Sequence, residues 1–255
     1  MMSFGTCSKE DIPQLKALWK IVFDEEPRFL EQFFSWRIQP KAIFAAKEGK
    51  KIVSALHALE TTYHKKGIHY PVSYIVGAAT AVEYRQRGLM GTLLGLVKAH
   101  YSHPITLFPA VRPFYEKHGY ITTSSTYMYP LKKNTEIQVH SSSLTSEHLN
   151  AIYMEATKSC GALDRDAIAW QFLTDGYETV SVSGAYAFIH QNKAVEAMAV
   201  DASSALLLVH LLQQKGIESI QVLSDSPFAL TGGTPVPMGM ATDASLQGLY
   251  IAEQY

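Results

Sequence analysis

The chain has 255 residues, 47% hydrophobic and 18% charged, with a net charge of −1, which is the composition of a folded globular protein rather than of a disordered or fibrous one. Its longest compact apolar stretch, residues 205–212, is too short to span a bilayer, and the N-terminus shows no basic segment followed by an apolar core. Two cysteines, Cys7 and Cys160, are too few for a disulfide framework or a four-cysteine zinc site, so a reducing cytoplasm is the expected compartment.

Apolar residues at helical spacing, Ile12, Leu15, Leu18, Trp19 and Val22, predict a helix over 9–23, with Ser8 and Asp11 offset as a cap. A second helix is expected from Pro27 to about residue 38. The period then changes to that of strands at 42–46, 52–62 and 68–82. A helix over 88–100, a strand at 105–108, a helix over 113–118 and a closing strand at 127–131 complete the first module. That order predicts an α+β layout with one mixed sheet flanked by helices. Residues 134–143, polar and with three consecutive serines, read as a linker.

The remainder reads as a weaker echo: helices at 145–159, 165–174 and 203–215, with strands at 185–190, 194–200 and 217–223. The division is therefore 1–133, a linker, and 144–255. Charge follows it. Residues 1–133 carry 18 Lys and Arg against 10 Asp and Glu, a net of +8, and the rest carry 4 against 13, a net of −9. A basic half suits a polyanionic ligand, and opposite halves attract one another.

The most informative stretch runs an apolar strand through Ala78, Ala79 and Thr80 into the turn Arg85-Gln86-Arg87-Gly88-Leu89-Met90-Gly91 at a helix start. A helix start presents unpaired N–H groups and partial positive charge, so it holds phosphate. Gly88 and Gly91 would let a bulky anion approach the main chain. Arg85 and Arg87 add forked donors suited to a diphosphate. The Gly-Lys-Ser/Thr ending of a nucleotide-triphosphate loop is missing, and the glycines lack the dinucleotide-binding spacing.

The turn resembles motif A of the GNAT superfamily of N-acyltransferases, Gln/Arg-x-x-Gly-x-Gly/Ala, with Met90 in place of the last small residue and Gly91 just after it. Phe114, Tyr115, Gly119 and Tyr120 are similar to the Phe-Tyr-x-x-x-Gly-Phe/Tyr helix that follows in that superfamily. The resemblance implies acetyl-coenzyme A as co-substrate, its pantetheine arm along Ala78–Thr80 and near Ala110, and Tyr115 as the acid that protonates the departing thiolate. It implies direct acetyl transfer to the primary amine of a small molecule or peptide.

In the second half, Asp201-Ala202-Ser203-Ser204 stands where a second cradle would fall, without Arg, Lys or Gly, so that copy is expected to be silent. A two-copy chain of this kind resembles the enhanced-intracellular-survival (Eis-like) branch, without its sterol-carrier-like domain. That resemblance implies a second catalytic group, the terminal carboxylate of Tyr255, as base. Asp24 and Glu26, in the acidic turn with Glu25 between the first two helices, are the acceptor-side candidates. No metal is expected: His100 with His103, and His64 with His69, lack a third ligand at metal spacing. Basic pairs lack interleaved aromatics, which argues against nucleic acid, and nothing suggests a membrane partner. Homo-oligomerisation stays open. The rival reading is a non-catalytic acyl-coenzyme A sensor or regulatory protein; retention of Tyr115 favours the enzyme.

Overall fold

The structure, a computed structural model, describes residues 1–252. In chain order the first half comprises β1 (Met2–Thr6), α1 (Ile12–Phe23), α2 (Pro27–Trp36), β2 (Ile43–Glu48), β3 (Lys51–Lys65), β4 (Ile68–Thr80), α3 (Leu89–His100), β5 (Ile105–Leu107), α4 (Arg112–Lys117), β6 (Ile121–Thr122) and β7 (Ser125–Pro130). There follow α5 (Ser146–Ala156), β8 (Ala162–Leu163), α6 (Ala167–Gly176), β9 (Glu178–Val182), β10 (Ala185–His190), β11 (Lys193–Ala199), α7 (Ala202–Lys215), β12 (Ser219–Leu223), β13 (Thr234–Pro237) and β14 (Met240–Ala241). None of the described helices is long and apolar enough to cross a membrane.

These elements form two mixed sheets flanked by helices. The first has the order β1-β2-β3-β4-β5-β14-β6, with β8 added to the end of β3; the second has the order β13-β7-β12-β11-β10-β9. The alternation along β3 explains the layering. Val53, Ala55 and Leu59 face one core with Leu15, Trp19 and Phe33 from α1 and α2. Leu56 and Ala58 face the other, with Leu93, Leu94 and Val97 from α3. The second half repeats the arrangement, with α7 on one face of its sheet and α5 and α6 on the other.

Strand membership departs from chain order. The strand near residues 127–131, expected to close the first sheet, is β7, and it lies in the second sheet, antiparallel to β12. Its place beside β5 is taken by β14, from the far end of the chain. Each half thus lends a strand to the other, next to its central parallel pair. A strand needs only a free edge and an apolar face, and short strands such as β14 carry too little pattern to announce their partner. Beyond the sheets, Arg37 pairs with Asp166 at 2.9 Å, and His64 Nδ1 lies 2.9 Å from an Asp164 carboxylate oxygen.

Candidate active site

The site begins with a register. β4 runs parallel to β5 only from Ser73 to Ile75, yet continues to Thr80, so its last turn of strand has no neighbour on that side among the described residues. On the other side, Ala55 pairs with Ala79 but His57 pairs with Val76, so β4 carries one extra residue, a bulge at Gly77 and Ala78. Gly77 has φ +62°, and a Cβ there would overlap the Trp19 indole, so glycine is required for both the backbone and the packing. The bulge lies just beyond the last β4–β5 pair, Ile75 with Leu107, and Trp19 lies against it. The sheet splays open here.

One side of the gap is the turn into α3. Gly88 caps the helix at φ +75° with open space where a side chain would stand. The first intrahelical bond runs from Thr92 N–H to Gly88 C=O, which leaves the amides of Leu89, Met90 and Gly91 without helical partners. Arg85 is steadied by a bond from Nε to the Thr80 carbonyl at 3.1 Å. These groups line a cleft of about 470 Å³ together with Ala78, Thr80, Gln86, Ala110 and Tyr115. The arrangement fits a diphosphate: free donors, one adjacent guanidinium, and no side chain over the helix start.

Three expected members behave differently. Arg87 donates to the Glu83 carbonyl at 2.8 Å and lies over the Tyr84 ring, outside the lining of the cleft. Ala79 is fully buried, pairs with Ala55 of β3 and does not line the cleft. At Gly91 a Cβ would overlap His118; its smallness makes room for that imidazole rather than for an anion. Phe114 and His118 line the cleft too and were missed, although their spacing of four on the helix of Tyr115 could have flagged them.

The other side of the gap is a second cavity of about 330 Å³, walled by Trp19, Phe23, Tyr74, Val76 and Phe108. Ala78, Ala110 and Tyr115 line both spaces, so the two meet at the Tyr115 phenol. Burial pushes that phenol up to about 12. It therefore holds its proton throughout the physiological range. Of the acidic turn, Glu25 lines this cavity. Asp24 ends α1 in the left-handed region at φ 55° and Glu26 caps α2; both are exposed and neither lines the cavity. Of the three acidic residues expected on this side, the structure thus brings Glu25 to the cavity and leaves its two neighbours outside. Burial raises the Glu25 carboxyl above its usual range. Tyr255 lies outside the described residues.

The corresponding place in the second half is closed. Asp201 accepts from the Ser204 amide at 2.8 Å and the Ser203 hydroxyl at 2.7 Å, so the start of α7 is capped by its own carboxylate. The pairing of β11 with β12 also ends at Ala194, and two residues on the buried Glu196 is bound to Arg165 and to the hydroxyls of Tyr186 and Tyr250.

A mixed sheet splayed beside a helix start, in an α+β chain of this order, defines a GNAT-like fold, whose enzymes transfer acyl groups. Residues 4–122 match the model of the Acetyltransferase (GNAT) domain; this part of the chain is a GNAT domain, which makes the protein an acyltransferase of GNAT type. No curated protein matches the sequence. Among solved structures it is similar to a conserved protein from Enterococcus faecalis V583, a probable N-acyltransferase, at 18% identity and TM-score 0.74, over 97% of this chain and 74% of that one. It is similar to a GCN5-related N-acetyltransferase from Anabaena variabilis ATCC 29413 at 16% identity and TM-score 0.69, over 94% and 72%. Eis1 from Mycobacterium abscessus aligns at 13% identity and TM-score 0.68, over 94% and 73%. At these identities the likeness is one of fold, and it extends through both halves.

Proposed function

We propose that the protein transfers an acetyl group from acetyl-coenzyme A to a primary amine by direct attack, with Tyr115 as acid and Glu25 as base. In this reading residues 1–133 hold the co-substrate, and 144–255 are a degenerate partner half. One observation carries the proposal: the cleft with the anion cradle and the cavity containing Glu25 meet at Tyr115. Acetyl-coenzyme A supplies the activated acyl group. The amides of Leu89 to Gly91 and the Arg85 guanidinium bind the diphosphate, and the unpaired edge of β4 orients the amide-rich arm as an added strand would.

Glu25 takes the proton of the incoming ammonium, a task its raised pKa suits, since a stronger base holds that proton better. Tyr115 holds the proton required by the departing thiolate. Desolvation that raises the phenol raises a thiolate formed beside it as well, which keeps the two matched. Holding both reactants at one junction supplies the remainder through positioning.

Tyr115→Phe tests this. Turnover is expected to fall by about 10²–10⁴-fold while coenzyme A affinity measured by calorimetry stays unchanged. Full activity in that variant removes Tyr115 from the mechanism. Absence of turnover by the unmodified protein across a broad amine panel, with coenzyme A still bound, replaces the enzyme by a sensor.

A further inference from the structure

The cavity that meets Tyr115 from the acceptor side has a composition that selects among amines. Its walls are aromatic and aliphatic: Trp19, Phe23, Tyr74, Val76 and Phe108. Among the described residues its one carboxylate is Glu25, and no lysine, arginine or histidine lines it. Phe23 is 40% exposed at the end of α1, an aromatic ring at the mouth of the cavity, while Leu15, Leu18 and Trp19 of the same helix are buried and Ile21 is exposed on its outer side. Burying a large aromatic stabilises a fold, so a half-open ring beside a site marks a surface with a use.

Beyond Tyr74 lies a smaller space of about 140 Å³ with further acids, and their bonds decide whether they serve an acceptor. Asp166 pairs with Arg37 and caps α6 through the Ala169 amide at 2.7 Å. Asp164 accepts from Thr62 and faces both His64 and His69. Glu60 accepts from the Tyr101 hydroxyl at 3.1 Å. Asp166 is paired with a cation and Asp164 is bonded to three side chains, whereas Glu60 meets one neutral donor and stands apart from the larger cavity. Inside the cavity a second ammonium on the acceptor would find apolar wall, because Asp24 and Glu26 lie exposed outside its lining and Glu60 lines the neighbouring space, and an unpaired buried charge is strongly disfavoured.

We infer that the acceptor is a monoamine on an apolar body, an alkylamine or aralkylamine, with its single cation at Glu25 and its body in the Trp19–Phe23–Phe108 box. This rests on the acetyl-transfer reading above and narrows its substrate class. A cavity of about 330 Å³ is at the small end of ligand sites, in keeping with a small amine.

The experiment compares phenethylamine and hexylamine with spermidine and kanamycin as acceptors, using the full chain, acetyl-coenzyme A and a thiol-release assay. The two monoamines are expected to exceed the polycations in kcat/KM by about tenfold or more, the discrimination a shaped apolar pocket provides. Phe23→Glu, at a half-exposed position where folding tolerates it, adds a second carboxylate at the mouth and is expected to narrow or reverse that ratio. Equal or better use of spermidine or kanamycin by the unmodified protein overturns the inference and leaves the acetyltransferase reading intact. If no amine is acetylated, that reading fails instead. Calorimetric titration of the coenzyme A-saturated protein then decides this one, and tighter binding of spermidine than of phenethylamine overturns it.

Discussion

Replacing Arg165 by Met tests the physical account of the second half. Arg165 and Glu196 have side chains 1% and 6% exposed and form two parallel bonds at 2.7 Å, while Tyr186 and Tyr250 donate to the same carboxylate at 2.7 and 2.9 Å. Burial by itself would raise the Glu196 carboxyl, but the adjacent guanidinium and the two phenols outweigh it and hold it below the usual range. A group depressed in the fold contributes stability above its unfolded pKa and loses it as pH falls, so the clamp weakens in acid. Removing Arg165 strands a buried carboxylate, at a cost of about 3–5 kcal/mol, or about 6–20 °C in melting temperature for a chain of this size. Removing both charges, as Arg165→Met with Glu196→Leu, is expected to recover most of that loss, short of the acceptor the two phenols give up. Urea denaturation and thermal melts of the full chain read both variants. A loss below about 1 kcal/mol in the single variant, or a double variant no better than the single, refutes the reasoning.

Gly77→Ala is expected to cost about 1–2 kcal/mol for a left-handed non-glycine residue and to displace Trp19. The KM for the amine should rise while that for acetyl-coenzyme A holds; equal changes in both would detach Trp19 from the acceptor side. His57 is 2% exposed, neither ring nitrogen has a hydrogen-bond partner, and burial, aided by the charge of Arg37, lowers it to about 3. Its neutral form is favoured in the fold, so the stability it confers is present above pH 6.5 and lost as pH falls, by about 2 kcal/mol between pH 6.5 and 5. His57→Leu should flatten urea stability across that window, and an unchanged slope counts against the assignment. Glu25→Gln should abolish the acid limb of the kcat/KM profile, a limb expected above the ordinary carboxylate range; a limb that persists unchanged assigns the base elsewhere.

Much of the first half was legible because its signals are local. The anion cradle needs a strand, a turn and a helix start within about a dozen consecutive residues, and the sequence from Ala78 to Gly91 supplies them in order. Tyr115 follows on a short helix with its own motif. The capped start of α7 was equally local, since Asp201 stands there and accepts from the Ser204 amide. Less legible were features that depend on direction. Which of Asp24, Glu25 and Glu26 faces the cavity is set by the chain path between α1 and α2, and whether Gly91 faces an anion or His118 turns on the approach of α4.

The amino-acid sequence alone determined the class of fold: hydrophobic period and turn chemistry are short-range, so an α+β module with a glycine turn into a helix start can be read from it. Only the tertiary structure decided which strand completes which sheet, how β4 and β5 splay, and that two cavities meet at Tyr115. Those outcomes are settled by contacts between residues far apart in the chain, as when β14 enters beside β5, and no local pattern encodes a distant partner.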